Sequence, residues 1–410
     1  MSKHHNQRVK TKHGHNVHAS QHTDLPSMKH EWVMIPSSSP ITTFNSYGLL
    51  DFKEKNCVLH DLALMYDVQL PSSITAGSGL VVNTPEFNPA IFWTTRIEIV
   101  FQNNVIDTIY PLAQFVHQQL FQRDDERKIK NVAMGDYANI VQRAGLFATG
   151  GKFIVPLWTF FNQGHIPMVI HNQDLQLRLY LDSLQNVFSY NGATIVPSAP
   201  VLNSCQLLAK ISRMTNDHSE HIQRSLRSAP QHYKFLETRI QQYPVNASVS
   251  PYQVNIPMTA ILGKVSYMFF VVRPVSALTG SPDATWTFTP IQNFSILDST
   301  GTNITGGQPV PHALALTLLN EDNVLSTYLT EDFEGRGVVS NSANVYMYSF
   351  SASASSSARD GLSLNHFIFK GNETLQILFN ANLPNSQVDI YAFTEAVLEI
   401  GSSGVKKITL

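Results

Sequence analysis

NVYMYSF (Asn344–Phe350), LSLNHFIFK (Leu362–Lys370), TLQILFNA (Thr374–Ala381) and VDIYAFTEAVLEI (Val388–Ile400) close the chain and decide how the rest is read. Aromatic and β-branched residues fill each short run. Leu375, Ile377 and Phe379 alternate with other positions, and Gly371-Asn372 and Leu383-Pro384-Asn385 interrupt the runs. This is strand texture punctuated by turn residues. The gaps are too short for crossover helices, so neighbouring strands are expected to pair antiparallel.

The same texture extends toward the N-terminus. FNSYGLLDF (Phe44–Phe52) and CVLHDLALMYDVQL (Cys57–Leu70) flank a charged turn, and Leu62, Leu64 and Tyr66 keep a period of two. Ile91–Val100 and Asn104–Tyr110 read as a hairpin around Gln102-Asn103-Asn104. Leu112–Lys130 breaks the pattern and predicts a helix ending in the charged cluster Arg123–Lys130. Strands resume with Lys152–Phe161 and with Asp174–Leu184, where Leu175, Leu177, Leu179 and Leu181 occupy one face and Gln176, Arg178 and Tyr180 the other. Gln206–Met214 completes a segment with the size and texture of a jelly roll. Asn216–Tyr243 is charged, with a helix start at Asn216-Asp217-His218 and a break at Pro230. Beyond it Lys264–Val275, Thr285–Pro290 and Phe294–Gly307 repeat the strand texture up to the closing runs.

With 410 residues the chain suits two domains rather than one. Charged residues make up 14%, well below the roughly 25% usual for soluble proteins, which favours large neutral surfaces. A net charge of −2 argues against bulk electrostatic nucleic-acid binding, so no sequence-specific nucleic-acid contact is expected. Cys57 and Cys205 lack metal-ligand spacing and read as buried free thiols. No run reaches transmembrane length, and the polar N-terminus has no secretory signal.

Residues 1–40 form an expected flexible, basic, histidine-rich arm. Within residues 1–30, Lys3, Arg8, Lys10, Lys12 and Lys29 face the single acid Asp24, and Lys3, Arg8, Lys10 and Lys12 are the candidate contacts for an anionic partner. His13-Gly14-His15 is a possible metal pair, but it has no Cys, Asp or Glu beside it, so no metal site is assigned.

No catalytic residues and no cofactor are expected: GxSxG, HExxH, GxGxxG, phosphate-loop and CxxC patterns are all absent. Asp124-Asp125-Glu126 lies among Arg123, Arg127 and Lys128 and reads as a self-paired helix end rather than a cation site. His60, His165 and His171 stand alone near strands and read as structural. A cupin site would need two His and a Glu close together on a strand, which the chain lacks. A carbohydrate-binding β-sandwich, such as a viral spike or fibre, remains the alternative. Trp93, Trp158 and Trp286 could serve it, although each falls in a predicted strand, where core packing is favoured.

YMYSFS (Tyr346–Ser351), a small-residue loop, Gly361, Leu364-Asn365, Leu375, Val388–Tyr391 and Val397–Gly401 together resemble one pattern. It is the closing segment of the double jelly-roll major capsid proteins of icosahedral double-stranded DNA viruses, the lineage of tectiviruses, adenoviruses and nucleocytoplasmic large DNA viruses. His232-Tyr233-Lys234-Phe235-Leu236-Glu237 is similar to that family's connector. The tail departs from it: Gly401–Gly404 is followed by Val405–Leu410 rather than by the hydrophobic ending common in the large viruses.

The resemblance implies an all-β chain of two consecutive eight-stranded antiparallel jelly rolls with short helices in loops. The first is expected over 41–215, a charged connector over 216–250 and the second over 251–410. It further implies a virion protein made in the host cytoplasm. That protein would form pseudo-hexagonal homotrimers that meet neighbouring capsomers, penton and minor capsid proteins, and an internal membrane through the arm.

Overall fold

The computed structural model describes residues 30–69, 85–87, 89–121, 129–130, 132–135, 151–169, 174–190, 201–278, 288–311, 344–351 and 366–409. The first unit contains β1 (His30–Pro36), β2 (Tyr47–Phe52), β3 (Cys57–Gln69), β4 (Pro85–Phe87), β5 (Thr94–Phe101) and β6 (Asn104–Ile109). It continues with β7 (Gly151–Leu157), β8 (Ile166–Met168), β9 (Leu175–Leu181), β10 (Phe188–Tyr190) and β11 (Val201–Arg213). One sheet runs β1-β11-β3-β7 with β8 added to β3, the other runs β2-β9-β5-β6, and β4 pairs with β10. Their inner faces close over one hydrophobic core. In β9 the four leucines are buried and the residues between them half-buried, as the alternation predicts.

Local chemistry explains where elements begin and stop. The β5–β6 hairpin turns at Gln102 and Asn103, with φ of 49° and 66°, the left-handed pair of a primed turn. β2 starts at Tyr47 rather than Phe44, because Asn45 upstream is left-handed at φ 55°. The strand expected to reach Phe161 stops at Leu157. Thr159 there caps helix α2 (Phe160–Gly164) through a capping box with Asn162. Helix α1 covers Pro111–Phe121, and residues 122–128 of the expected longer helix lie outside the described residues. Trp93 sits in a 3₁₀ turn rather than a strand, yet it is fully buried in the core; Trp286 lies outside the described residues.

Two expected boundaries move. The arm was expected through residue 40, but His30–Pro36 is a strand paired along its whole length with β11. Its period-two pattern turns Val33 and Ile35 onto the core, a signal hidden in the sequence by the polar run before it. The connector expected over 216–250 is mostly regular structure. After the short helix α3 (Leu184–Val187), helix α4 (Asn216–Ser228) is capped by Thr215, one residue before the expected cap. Gln231–Val245 is then strand β12, fifteen residues long.

The second unit adds β13 (Tyr252–Pro257), β14 (Leu262–Pro274), β15 (Asn293–Leu297), β16 (Val310–Pro311) and β17 (Tyr346–Ser349). β18 (Phe367–Lys370), β19 (Thr374–Phe379), β20 (Ser386–Gly401) and β21 (Gly404–Thr409) complete it. One sheet runs β12-β20-β14-β17, with β18 on β14 and β21 on β20; the other runs β13-β19-β15-β16. All ladders in both units are antiparallel among the described residues. β20 is the spine: β12 pairs with its full length, β14 with its first half and β21 with its last residues.

The sheet built on β20 is a wall between two cores. In β14, Tyr267, Phe269 and Val271 belong to the first unit's core, while Met268, Phe270 and Val272 belong to the second unit's. In β20, Tyr391 and Phe393 face the first, Ile390 and Ala392 the second. A strand buried on both faces needs a near-continuous apolar run, which is why these two stretches lose the alternation seen in β9.

Candidate functional site

The seam between the two units is the most built-up region of the molecule. Aromatic rings fill it. His117 on α1 stacks on Trp158 with centroids 3.8 Å apart, and Phe121 lies 5.4 Å from Tyr267, which itself stacks on Phe393 at 4.4 Å. Trp158 meets Phe393 at 5.9 Å, and Phe160 meets Phe235 at 5.0 Å. Contacts of this kind contribute beyond area burial and join the two units as one body. Burial pushes His117 down to about 3, so it stays a neutral ring in the seam.

At one end the edge strand of each unit meets the other. Asp107 on β6 is fully buried and accepts hydrogen bonds from the Thr108 N–H at 2.9 Å and from the Thr238 N–H on β12. Beside it, Glu237 accepts from Lys407 Nζ at 2.7 Å and from Arg239 Nε at 2.8 Å. β21 thus brings a cation to a pair of buried acids. Its Gly404, at φ +124°, lies so close to the β5–β6 turn that a Cβ would overlap the Gln102 side-chain amide.

Burial, and after it the Glu237 charge, pushes the Asp107 carboxyl up to about 7. A carboxyl raised in the folded state is neutral there while ionised in the unfolded chain, so it costs stability as pH rises from about 4 to 7. Asp107→Asn should therefore raise stability by on the order of 4 kcal/mol at pH 8 and by roughly a third of that at pH 5. Thermal melts across this range check it; parallel wild-type and variant curves would show that Asp107 is ionised in the fold.

A cleft of about 590 Å³ opens along the same seam between β5, β6, β12 and β14, and includes Arg96, Glu98, Tyr110, Gln242, Arg273 and Tyr391 in its walls. Its two arginines are paired. Arg96 bonds Glu98 at 3.0 Å and lies over the Tyr180 ring, and Arg273 Nε bonds Asp389 at 2.7 Å. The arginines thus tie β5 to β9 and β14 to β20.

Lys3, Arg8, Lys10 and Lys12 lie outside the described residues, as do His13, His15, His171 and Asp124–Glu126. Cys57 and Cys205 are buried free thiols, and burial pushes Cys57 up to about 12 and Cys205 higher still. Among the described residues no group of three His, Cys, Asp or Glu could hold a metal, and no helix is long and apolar enough to cross a membrane. Sequence reading missed Asp107 and Glu237. The available signal was a lone acid within each of the apolar runs Val105–Ile109 and Phe235–Thr238.

No protein-family model matches the sequence, and no curated protein matches it. Solved structures do. PBCV-1 VP54, fitted into a reconstruction of the virophage Sputnik, matches with a TM-score of 0.67 at 14% identity, over 98% of this chain and 99% of that one. The Faustovirus major capsid protein gives 0.62 at 8% identity over 91% and 90%, and the mavirus major capsid protein 0.54 at 9% over 100% and 97%. Nearly end-to-end agreement, with two antiparallel β-sandwiches sharing a doubly buried wall, identifies the architecture: the chain has the double jelly-roll fold of these viral capsid proteins.

Proposed function

We propose that the chain is a major capsid protein, a structural subunit whose homotrimers form pseudo-hexagonal capsomers and tile an icosahedral shell. The observation that carries this reading is the end-to-end fold match to capsid subunits. The physical logic is that two similar wedges locked by an apolar wall let threefold symmetry approximate sixfold packing. Residues 41–215 and 251–410, with β1 and β12 added, are the two wedges. Apolar side chains on the outer face of the first unit support self-association: Trp32 and Met34 on β1 are more than half exposed, and Ile154 is exposed on the same face at the opposite edge strand β7. Light scattering on dilute native protein is expected to give a trimer, and a stable folded monomer would overturn the reading.

Penton and minor capsid proteins, neighbouring capsomers and an internal membrane are the further partners of this reading, with the virion as the location. The basic arm supports the membrane contact, since each Lys or Arg near an anionic bilayer contributes about 1 kcal/mol. Deleting residues 2–29, which stops short of β1, should leave the oligomer intact and lower binding to anionic liposomes. Equal liposome binding by the full-length and shortened proteins would leave the arm without that role.

A further inference from the structure

Three histidines from separate elements meet at one end of the first sheet. His60 Nδ1 on β3 lies 3.0 Å from Nδ1 of His165, which follows α2. On its other side His60 Nε2 lies 2.8 Å from Ser212 Oγ on β11, and that oxygen lies 2.8 Å from His30 Nδ1 on β1. The outer rings flank His60 edge-on, each with its centroid 4.8 Å away. His60 and Ser212 are both buried.

Two departures from regular backbone assemble this chain of contacts. The β11–β3 ladder slips between Lys210↔Asp61 and Ile211↔Leu59, so His60 is the extra residue of a bulge, a device that re-aims a side chain. His165 has φ +48°, a left-handed conformation uncommon for a residue other than glycine. Irregularities that converge on one cluster of ionisable groups point to a role beyond packing.

Proton counting defines that role. With all rings neutral, the three contacts run donor to acceptor from His165 to His30, or in the reverse direction, with one hydrogen in each contact and the accepting end ring carrying its own hydrogen on Nε2, outside the chain. One added proton still fits, because a doubly protonated His60 can donate both ways. A second sets two N–H groups against each other or strands the Ser212 hydroxyl hydrogen in a buried site. The facing charges offer no relief: Asp61 is held by Lys210 at 3.5 Å and by Asn162, while Glu31 and Glu54 are both held by Arg213.

We propose that this imidazole chain is an acid-sensitive latch, which holds β1 on the sheet edge at neutral pH and releases it on acidification. The latch sits where β1 pairs His30 with Ser212, at the strand end nearest the N-terminal segment. Burial, and after it the neighbouring rings of His165 and His30, keeps His60 at about 4 against an ordinary 6.5. An opened strand exposes it to water, where it takes up a proton more readily. Opening is thus favoured as pH falls below 6.5, and the effect saturates near pH 4. Above pH 6.5 the latch is insensitive. At pH 5.5 the opening equilibrium is roughly 10-fold larger than at pH 7.5.

Hydrogen exchange on the full chain, followed by mass spectrometry at pH 7.5, 6.5 and 5.5 and corrected for intrinsic amide chemistry, tests this. β13, an edge strand of the second unit without histidine, is the internal reference. The expected result is about a 10-fold rise in β1 opening at pH 5.5 with β13 unchanged. His60→Gln and His165→Gln should each flatten the response. If β1 keeps step with β13 in the wild-type protein, the proposal is overturned even where neither variant folds. A full 10-fold rise surviving in His60→Gln would overturn it as well.

Discussion

Leu177→Asp is expected to leave no soluble protein. Leu177 is fully buried at the middle of β9, opposite Leu50 of β2 and Ile99 of β5. Its neighbours in the core are aliphatic and aromatic, so the new carboxyl would have no cation or donor to meet. Lost packing alone costs about 2–5 kcal/mol, and a buried unpaired carboxyl adds several more. The sum matches the whole stability of an ordinary domain, about 5–15 kcal/mol. The check is the soluble fraction after lysis, with Gln176→Ala as the control on the opposite face of the same strand. Soluble Leu177→Asp at wild-type yield would mean that this face of β9 does not line the core.

Arg273→Ala is the second large effect. Asp389 lies on the central strand β20 with no exposed surface. It accepts from Arg273 Nε at 2.7 Å, from Gln242 at 3.1 Å and from Gln387 at 2.5 Å. Removing the guanidinium leaves a buried carboxylate with only neutral donors, a change that costs about 3–5 kcal/mol. Asp389→Asn in the same chain removes the stranded charge and should restore much of the loss, because the side-chain oxygen it keeps still accepts from the two glutamine amides. Urea unfolding of the two single variants and the double variant separates these terms. A cost below about 1 kcal/mol for Arg273→Ala would show that the pair is solvated rather than part of the wall.

The strands with one wet face were legible. The leucine alternation of β9 told which residues line the core, because a sheet with one face on solvent writes its orientation into every second position. The β5–β6 turn was legible for a related reason: Gln102 and Asn103 stand between two strands with nothing else to shape the connection. β14 could be recognised as a buried strand, but not what buried it. A run such as Tyr267–Val272 looks the same whether its second face meets a helix, another sheet or a partner chain. The closing stretch also carried the resemblance to the capsid family, because several spaced motifs fell there together.

Pairing across the fold decided the remainder. His30 reads as the end of a polar arm until the β1–β11 register sets it opposite Ser212, and His60 reads as a solitary strand histidine until a bulge turns it toward His165. Asp107 and Glu237 are lone acids in separate apolar runs, and they stand together because an edge strand from each unit meets at the seam. Sequence alone determined which residues avoid water and where the chain turns, since both depend on a residue and its near neighbours. Which buried groups face one another depends on sheet order and register across more than a hundred residues, and only the tertiary structure decided that.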